Sequence, residues 1–115
     1  MSLDVYLTYE IDTGGKPYSS ELFSSNYTHN CGEMAKAAGI YQYVWRPDEC
    51  PDVKLAGDLI APLAKGIQEM TDNPSKFIAM NPKNKWGSYE TFLPWLKEYL
   101  QACKDYPKAS VHVSR

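Results

Sequence analysis

The sequence is poor in the residues that announce a reaction. Histidine occurs twice, as His29 and His112, and cysteine three times, as Cys31, Cys50 and Cys103. Neither type forms a C-x-x-C pair or a spaced ligand set, so no metal site is expected. There is no Walker loop, no G-x-S-x-G and no paired-glycine dinucleotide fingerprint. A two-histidine phosphoesterase needs two H-x-[ST] motifs; "HVS" at 112–114 fits, but His29 is followed by Asn-Cys. Three widely spaced cysteines would leave a stray thiol in an oxidising compartment, which points to a reducing cytosol. No apolar run approaches the roughly 20 residues that span a membrane. "MSLDVYL" lacks the basic region and apolar stretch of a signal peptide. A net charge of −2 gives no general attraction for nucleic-acid phosphates. The expectation is a cytoplasmic protein with no cofactor, no nucleic-acid partner and no membrane partner.

What is present suits a folded core. Apolar residues make up 43% of the 115, with nine Tyr, three Trp and three Phe. One domain of this length buries roughly two-thirds of its unfolded surface. Charge is uneven: residues 1–75 hold five basic and eleven acidic side chains, residues 76–115 seven and three. Lys76, Lys83 and Lys85 fall just before Trp86, which suits a local anion site rather than a nucleic-acid track.

Leu3, Val5, Leu7 and Tyr9 alternate with polar residues and read as a half-buried strand. "DTGGKP" reads as a turn, "YSSELFSSN" as a weaker return strand at a sheet edge, and "KASVHVSR" as a third strand pairing with the first. Between them the pattern is helical. "HNCGEMAKAAG" stops near Gly39, "IYQYVWRP" stops at Pro47, and "DNPSKFIAMNPKN" holds one turn at most. Leu55, Leu59, Leu63, Ile67 and Met70 form a helical stripe, and Tyr89, Phe92, Leu93, Leu96, Leu100 and Cys103 form a cleaner one. Pro62 and Pro94 fall inside these patterns, so each helix either begins late or bends. Trp95 lies off its stripe, either covered by another element or exposed at an interface. The fold class is α+β: a small antiparallel sheet of about three strands, N- and C-terminal strands paired, against three or four helices, all in one domain, 1–115.

Two polar stretches stand out. "NYTHN", residues 26–30, offers two carboxamides, a phenol, a hydroxyl and an imidazole. Asn30 with Glu33 matches the reciprocal pairing of a helix start, and Asn26 and Thr28 are natural caps; His29 is needed by no cap. In "NPKNKWGSYE", residues 81–90, Ser88 is the natural cap before Tyr89. Trp86 offers a stacking face, and Asn84, Lys85 and the helix start offer polar and cationic groups to an anion. Helix capping accounts for Glu33 and Glu90 more simply than catalysis does. Cys31, two residues after His29, makes a weak nucleophile pair, so no catalytic residue is assigned.

"SLDVYL", "NYTHN" before "MAKAAGIY", "NPKNKWGSYE" and the final "VSR" together resemble a family of small bacteriophage and prophage proteins that share N-x-T-H-N and N-P-x-N-x-W-G-x-Y. The resemblance runs nearly end to end and implies a phage-borne accessory protein in the host cytoplasm, without implying any catalytic residue. The resulting expectation is a non-enzymatic binder of a small nucleotide-like ligand, sequestering a host immune signal, with a homo-oligomer as an option. Its ligand-binding residues would be Asn26, Thr28, His29, Asn30, Asn84, Lys85, Trp86, Tyr89 and Glu90. Two alternatives stand beside it. One is a hydrolase of a nucleotide-like substrate using His29 with Glu90. The other is a protein–protein inhibitor presenting Trp45, Trp95 and "IYQYVW" as an exposed patch.

Overall fold

Alternation in the first strand sets the sheet. The computed structural model describes residues 2–11, 14–15, 18–28, 31–85 and 87–115, with the side chains at 2 and 28 left out. Strand β1 (Ser2–Ile11) pairs antiparallel with β2 (Tyr18–Thr28) on one side and with β3 (Ser110–Ser114) on the other, giving the order β2-β1-β3. The first and last strands are therefore partners, with Val5 opposite Val113 and Leu7 opposite Val111. On the other side Leu3, Val5 and Leu7 face Tyr27, Ser25 and Phe23. The register shifts after Leu7: Thr8 stands opposite Glu21, so Leu22 is an extra residue that bulges β2. Four residues of the "DTGGKP" turn (12, 13, 16 and 17) lie outside the described set.

The helical layer is built from two long helices and three short ones, where the sequence pattern indicates three or four in all. Helix α1 (Gly32–Ala37) stops before Gly39, whose φ of +77° suits glycine. Helix α2 (Tyr41–Trp45) leads into a 3-10 turn that begins at Pro47. Helix α3 (Ile60–Asp72) follows a second 3-10 turn, Ala56–Leu59. Helix α4 (Pro74–Ile78) is short, and α5 (Tyr89–Asp105) is the longest. Pro62 sits in the first turn of α3, where its missing N–H would be unpaired anyway. Pro94 lies inside α5 and removes one helical hydrogen bond there. Leu55, expected in the α3 stripe, is instead extended and bridges to Ser110, leaving its side chain exposed.

Helix α5 lies along β2 with matched periods. Thr91 meets Tyr27 through a hydroxyl pair 2.8 Å apart, Trp95 Nε1 donates to Ser25 Oγ at 2.9 Å, and Tyr99 stacks on Phe23 with centroids 6.2 Å apart. Two strand residues advance about 6.7 Å and four helix residues about 6 Å, so the pairs stay in step. Helix α3 packs on α5 as well, and Trp95 is buried from the β2 side, against Ser25 and the Tyr27 ring. Trp45 is buried as well, stacked on Tyr41. The aromatic patch required by a Trp45/Trp95 interface is therefore core rather than surface. Among the described residues no helix is long and apolar enough to cross a membrane.

Candidate functional site

The two polar stretches meet through Tyr27. Strand alternation turns Tyr27 to the core face, where its ring packs on Phe92 and Trp95, with centroids 5.3 and 5.4 Å away. Its hydroxyl then reaches the start of α5. It accepts from the Ser88 N–H at 3.2 Å, pairs with Thr91 Oγ1 at 2.8 Å, and lies 3.6 Å from Cys31 Sγ. Burial pushes the Tyr27 phenol up to about 12, so it stays neutral and acts as a structural hub. Gly87 closes the junction. Its φ is +88°, and a Cβ there would stand 2.9 Å from both Cys31 Sγ and Tyr27 Oη. The end of β2 and the approach to α5 are thereby held in contact.

Beside this hub is an open cavity of about 330 Å³ lined by Asn81, Pro82, Lys85, Gly87, Ser88 and Thr91. Lys85 N–H donates to Pro82 O at 3.2 Å, closing a tight turn, and Lys85 takes a φ of +62°. A non-glycine residue in that region costs on the order of 1–2 kcal/mol, and such strain concentrates at functional sites. The ammonium side chain at the cavity rim is exposed.

The start of α5 is well satisfied by its own chain. Asn81 Oδ1 accepts from Tyr89 N at 2.7 Å, the Glu90 N–H bonds to its own carboxylate, and Ser88 Oγ accepts from Thr91 N at 3.3 Å. The Phe92 N–H goes to Ser88 O at 2.8 Å. The Glu90 carboxyl is held below its ordinary value by that backbone bond and by the Asn81 and Ser88 side chains. The helix end therefore has little to offer an anion. Of the residues that line the cavity, Lys85 carries the charge, while the Asn81 amide and the Ser88 and Thr91 hydroxyls are engaged in holding the helix start.

The sequence-derived site residues divide accordingly. Lys85 lines the cavity, and Asn84 is exposed in the same turn. Glu90 is tied to Asn81 Nδ2 at 3.2 Å. Tyr89 is half-buried and turns its hydroxyl inward, donating to Met70 O at 3.0 Å at the end of α3. Asn26 alternates to the opposite sheet face from Tyr27, where its amide donates to Asp4 Oδ1 at 2.7 Å. His29, Asn30, Trp86 and the Thr28 side chain lie outside the described residues. The Asn30–Glu33 cap is corrected: α1 starts at Gly32 with Cys31 in the N-cap position and no side-chain cap bond, and Glu33 pairs with Lys36 at 3.4 Å. Sequence reasoning passed over Tyr27, Asn81 and Thr91 as site residues. Their link spans 64 positions for Tyr27–Thr91, and no local pattern marks it.

A larger cavity of about 450 Å³ runs along α2 beside Tyr41, Gln42, Arg46 and Glu49. Its groups are already committed. Arg46 pairs with Glu49 at 2.7 Å, and the Tyr41 ring stacks on Trp45 and carries Lys36 Nζ 5.0 Å from its centroid. Its cation is already neutralised and its aromatic ring already stacked, so the smaller cavity is the better candidate. Among the described residues no three His, Cys, Asp or Glu side chains gather in one group. Burial raises the Cys103 and Cys50 thiols, which keeps them protonated and unreactive. Comparison with protein-family models, curated proteins and solved structures finds no match to this chain.

Proposed function

We propose that this chain is a non-enzymatic binder of a small nucleotide-like ligand, held where the end of β2 meets the start of α5. As a phage-borne protein it would sequester a nucleotide signal of host immunity. The observation that carries the reading is the Tyr27 hub, which brings the two polar stretches together beside a cavity rimmed by Lys85. Lys85 supplies charge for a phosphate. Asn84, exposed in the same turn, and the Ser88 hydroxyl at the cavity wall add polar groups beside that charge. Glu90 is ionised and engaged by Asn81, which favours a holding role over proton transfer.

The test is a thermal melt of the purified chain against nucleotides, cyclic nucleotides and ADP-ribose derivatives, with the ligand recovered and weighed by mass spectrometry. A ligand at ~100 Kd stabilises by about 2.7 kcal/mol. A shifted melt with an unchanged ligand supports sequestration, and a changed ligand favours the hydrolase. A flat panel removes the nucleotide-like class.

A further inference from the structure

Lys85 serves a site only if its turn is held in place, and Asn81 ties that turn to α5. The Asn81 carboxamide bonds twice to the first turn of the helix: Oδ1 accepts from Tyr89 N–H at 2.7 Å, and Nδ2 donates to Glu90 Oε2 at 3.2 Å. A backbone N–H only donates and an ionised carboxylate only accepts, so the amide sits in one orientation. The hold passes along a short run of chain. Asn81 N–H donates to Ile78 O at 3.1 Å, at the end of α4. Pro82 follows at once, its ring fixing φ at about −65°, and Lys85 N–H closes back on Pro82 O at 3.2 Å. Beyond Lys85, Gly87 lies against Cys31 and Tyr27. The turn is thus fixed at both ends, as the +62° φ of Lys85 requires, since strained backbone persists only where its surroundings over-determine it.

We propose, on the binding reading above, that Asn81 is the positioning residue of this site: its clasp on α5 sets where the turn presents the Lys85 ammonium. A residue that merely starts a helix needs only the oxygen, and Asn81 uses its nitrogen as well. Aspartate separates the two roles. Asn81→Asp keeps the acceptor for Tyr89 N–H, and a carboxylate suits a helix N-terminus. It loses the donor, however, and sets a second carboxylate against Glu90, where like charges repel. The start of α5 survives while the clasp opens. Adding Glu90→Gln returns a donor from the other side and the net charge of the wild type, so the clasp closes again.

Two measurements on the full chain test this in the wild type, Asn81→Ala, Asn81→Asp and the Asn81→Asp, Glu90→Gln double variant. One is the solvent-exchange rate of the Lys85 amide, read by NMR without ligand. The other is the affinity for AMP, GMP and ADP-ribose, read by calorimetry. Both single variants should speed exchange at Lys85 and weaken binding about tenfold, although only Asn81→Ala, which also loses the oxygen, lowers the melting temperature. The double variant should recover slow exchange and binding together. Exchange at Lys85 indifferent to both single variants overturns the positioning role and leaves the binding reading intact. So does binding that is unchanged where exchange has quickened, or a double variant that fails to slow it again. A wild type that binds none of these probes at millimolar concentration sinks the binding reading, and the positioning role with it.

Discussion

The Tyr27 hydroxyl lies 2.8 Å from the Thr91 hydroxyl, joining the end of the second strand to the first turn of the last helix. The same oxygen accepts from Ser88 N–H, so one side chain fixes both the position of α5 on the sheet and the mouth of the candidate site. Its removal is felt twice. Tyr27→Phe removes the hydroxyl's bonds to Ser88 and Thr91, which still pair with each other, and so costs about 1 kcal/mol. Gly87→Ala adds a Cβ 2.9 Å from Cys31 Sγ and Tyr27 Oη at a positive φ and costs about 1–3 kcal/mol. Urea unfolding of the two variants reads both losses as lower midpoints at unchanged slope.

Lys85 separates folding from function. Its φ of +62° is one that glycine adopts freely, so Lys85→Gly should leave stability unchanged or raise it by up to about 1 kcal/mol. The same change removes the cation at the cavity rim and should weaken an anionic ligand about tenfold or more, on the order of 1.4 kcal/mol. Calorimetric melting and ligand titration of the one variant check both halves. A variant that is less stable yet binds fully would contradict the assignment.

Tyr99 is fully buried, and among the described residues its hydroxyl has no hydrogen-bond partner. A buried hydroxyl without a partner costs about 1–3 kcal/mol, so Tyr99→Phe is expected to be neutral or stabilising by about 1 kcal/mol. The ring stack on Phe23 is kept. A clear loss of stability in urea would show that the hydroxyl is engaged.

Alkaline pH should unfold the chain by a traceable route. Burial raises the Tyr27 phenol from 10.0 to about 12 and the Cys103 thiol from 9.0 to about 12, and raises Tyr99 in the same direction. The unfolded chain loses these protons near pH 9–10, while the folded chain keeps them to about 12. Their contribution is complete below the unfolded values and is lost as pH rises through that window. Melting temperature should fall between pH 9 and 12, with a shallower slope in Tyr27→Phe than in the wild type.

Much of the fold was legible because single periodicities dominate its long elements. Leu3, Val5 and Leu7 alternate cleanly, and the α5 stripe repeats over seventeen residues. Ser88 was readable as a cap from its place before the stripe, and its reciprocal partner proved to be Thr91. The short helices are five or six residues long, too short to display a period. Trp95 looked off-stripe because β2 covers it through Ser25 and Tyr27, a tertiary fact no local window holds. The site was half legible. The meeting of Lys85's turn with the end of β2 depends on Tyr27, read only as one member of a polar cluster. Asn26 was misplaced because the strand's period of two carries it to the far face.

The most direct measurement is a backbone-amide NMR titration of the 13.0 kDa chain with the nucleotide that most raises its melting point. Shifts concentrated at residues 26–31 and 81–91, lost in Lys85→Gly, are the predicted result. Shifts centred on the α2 cavity at Tyr41–Asp52, or none at the β2–α5 junction at saturating ligand, would contradict it.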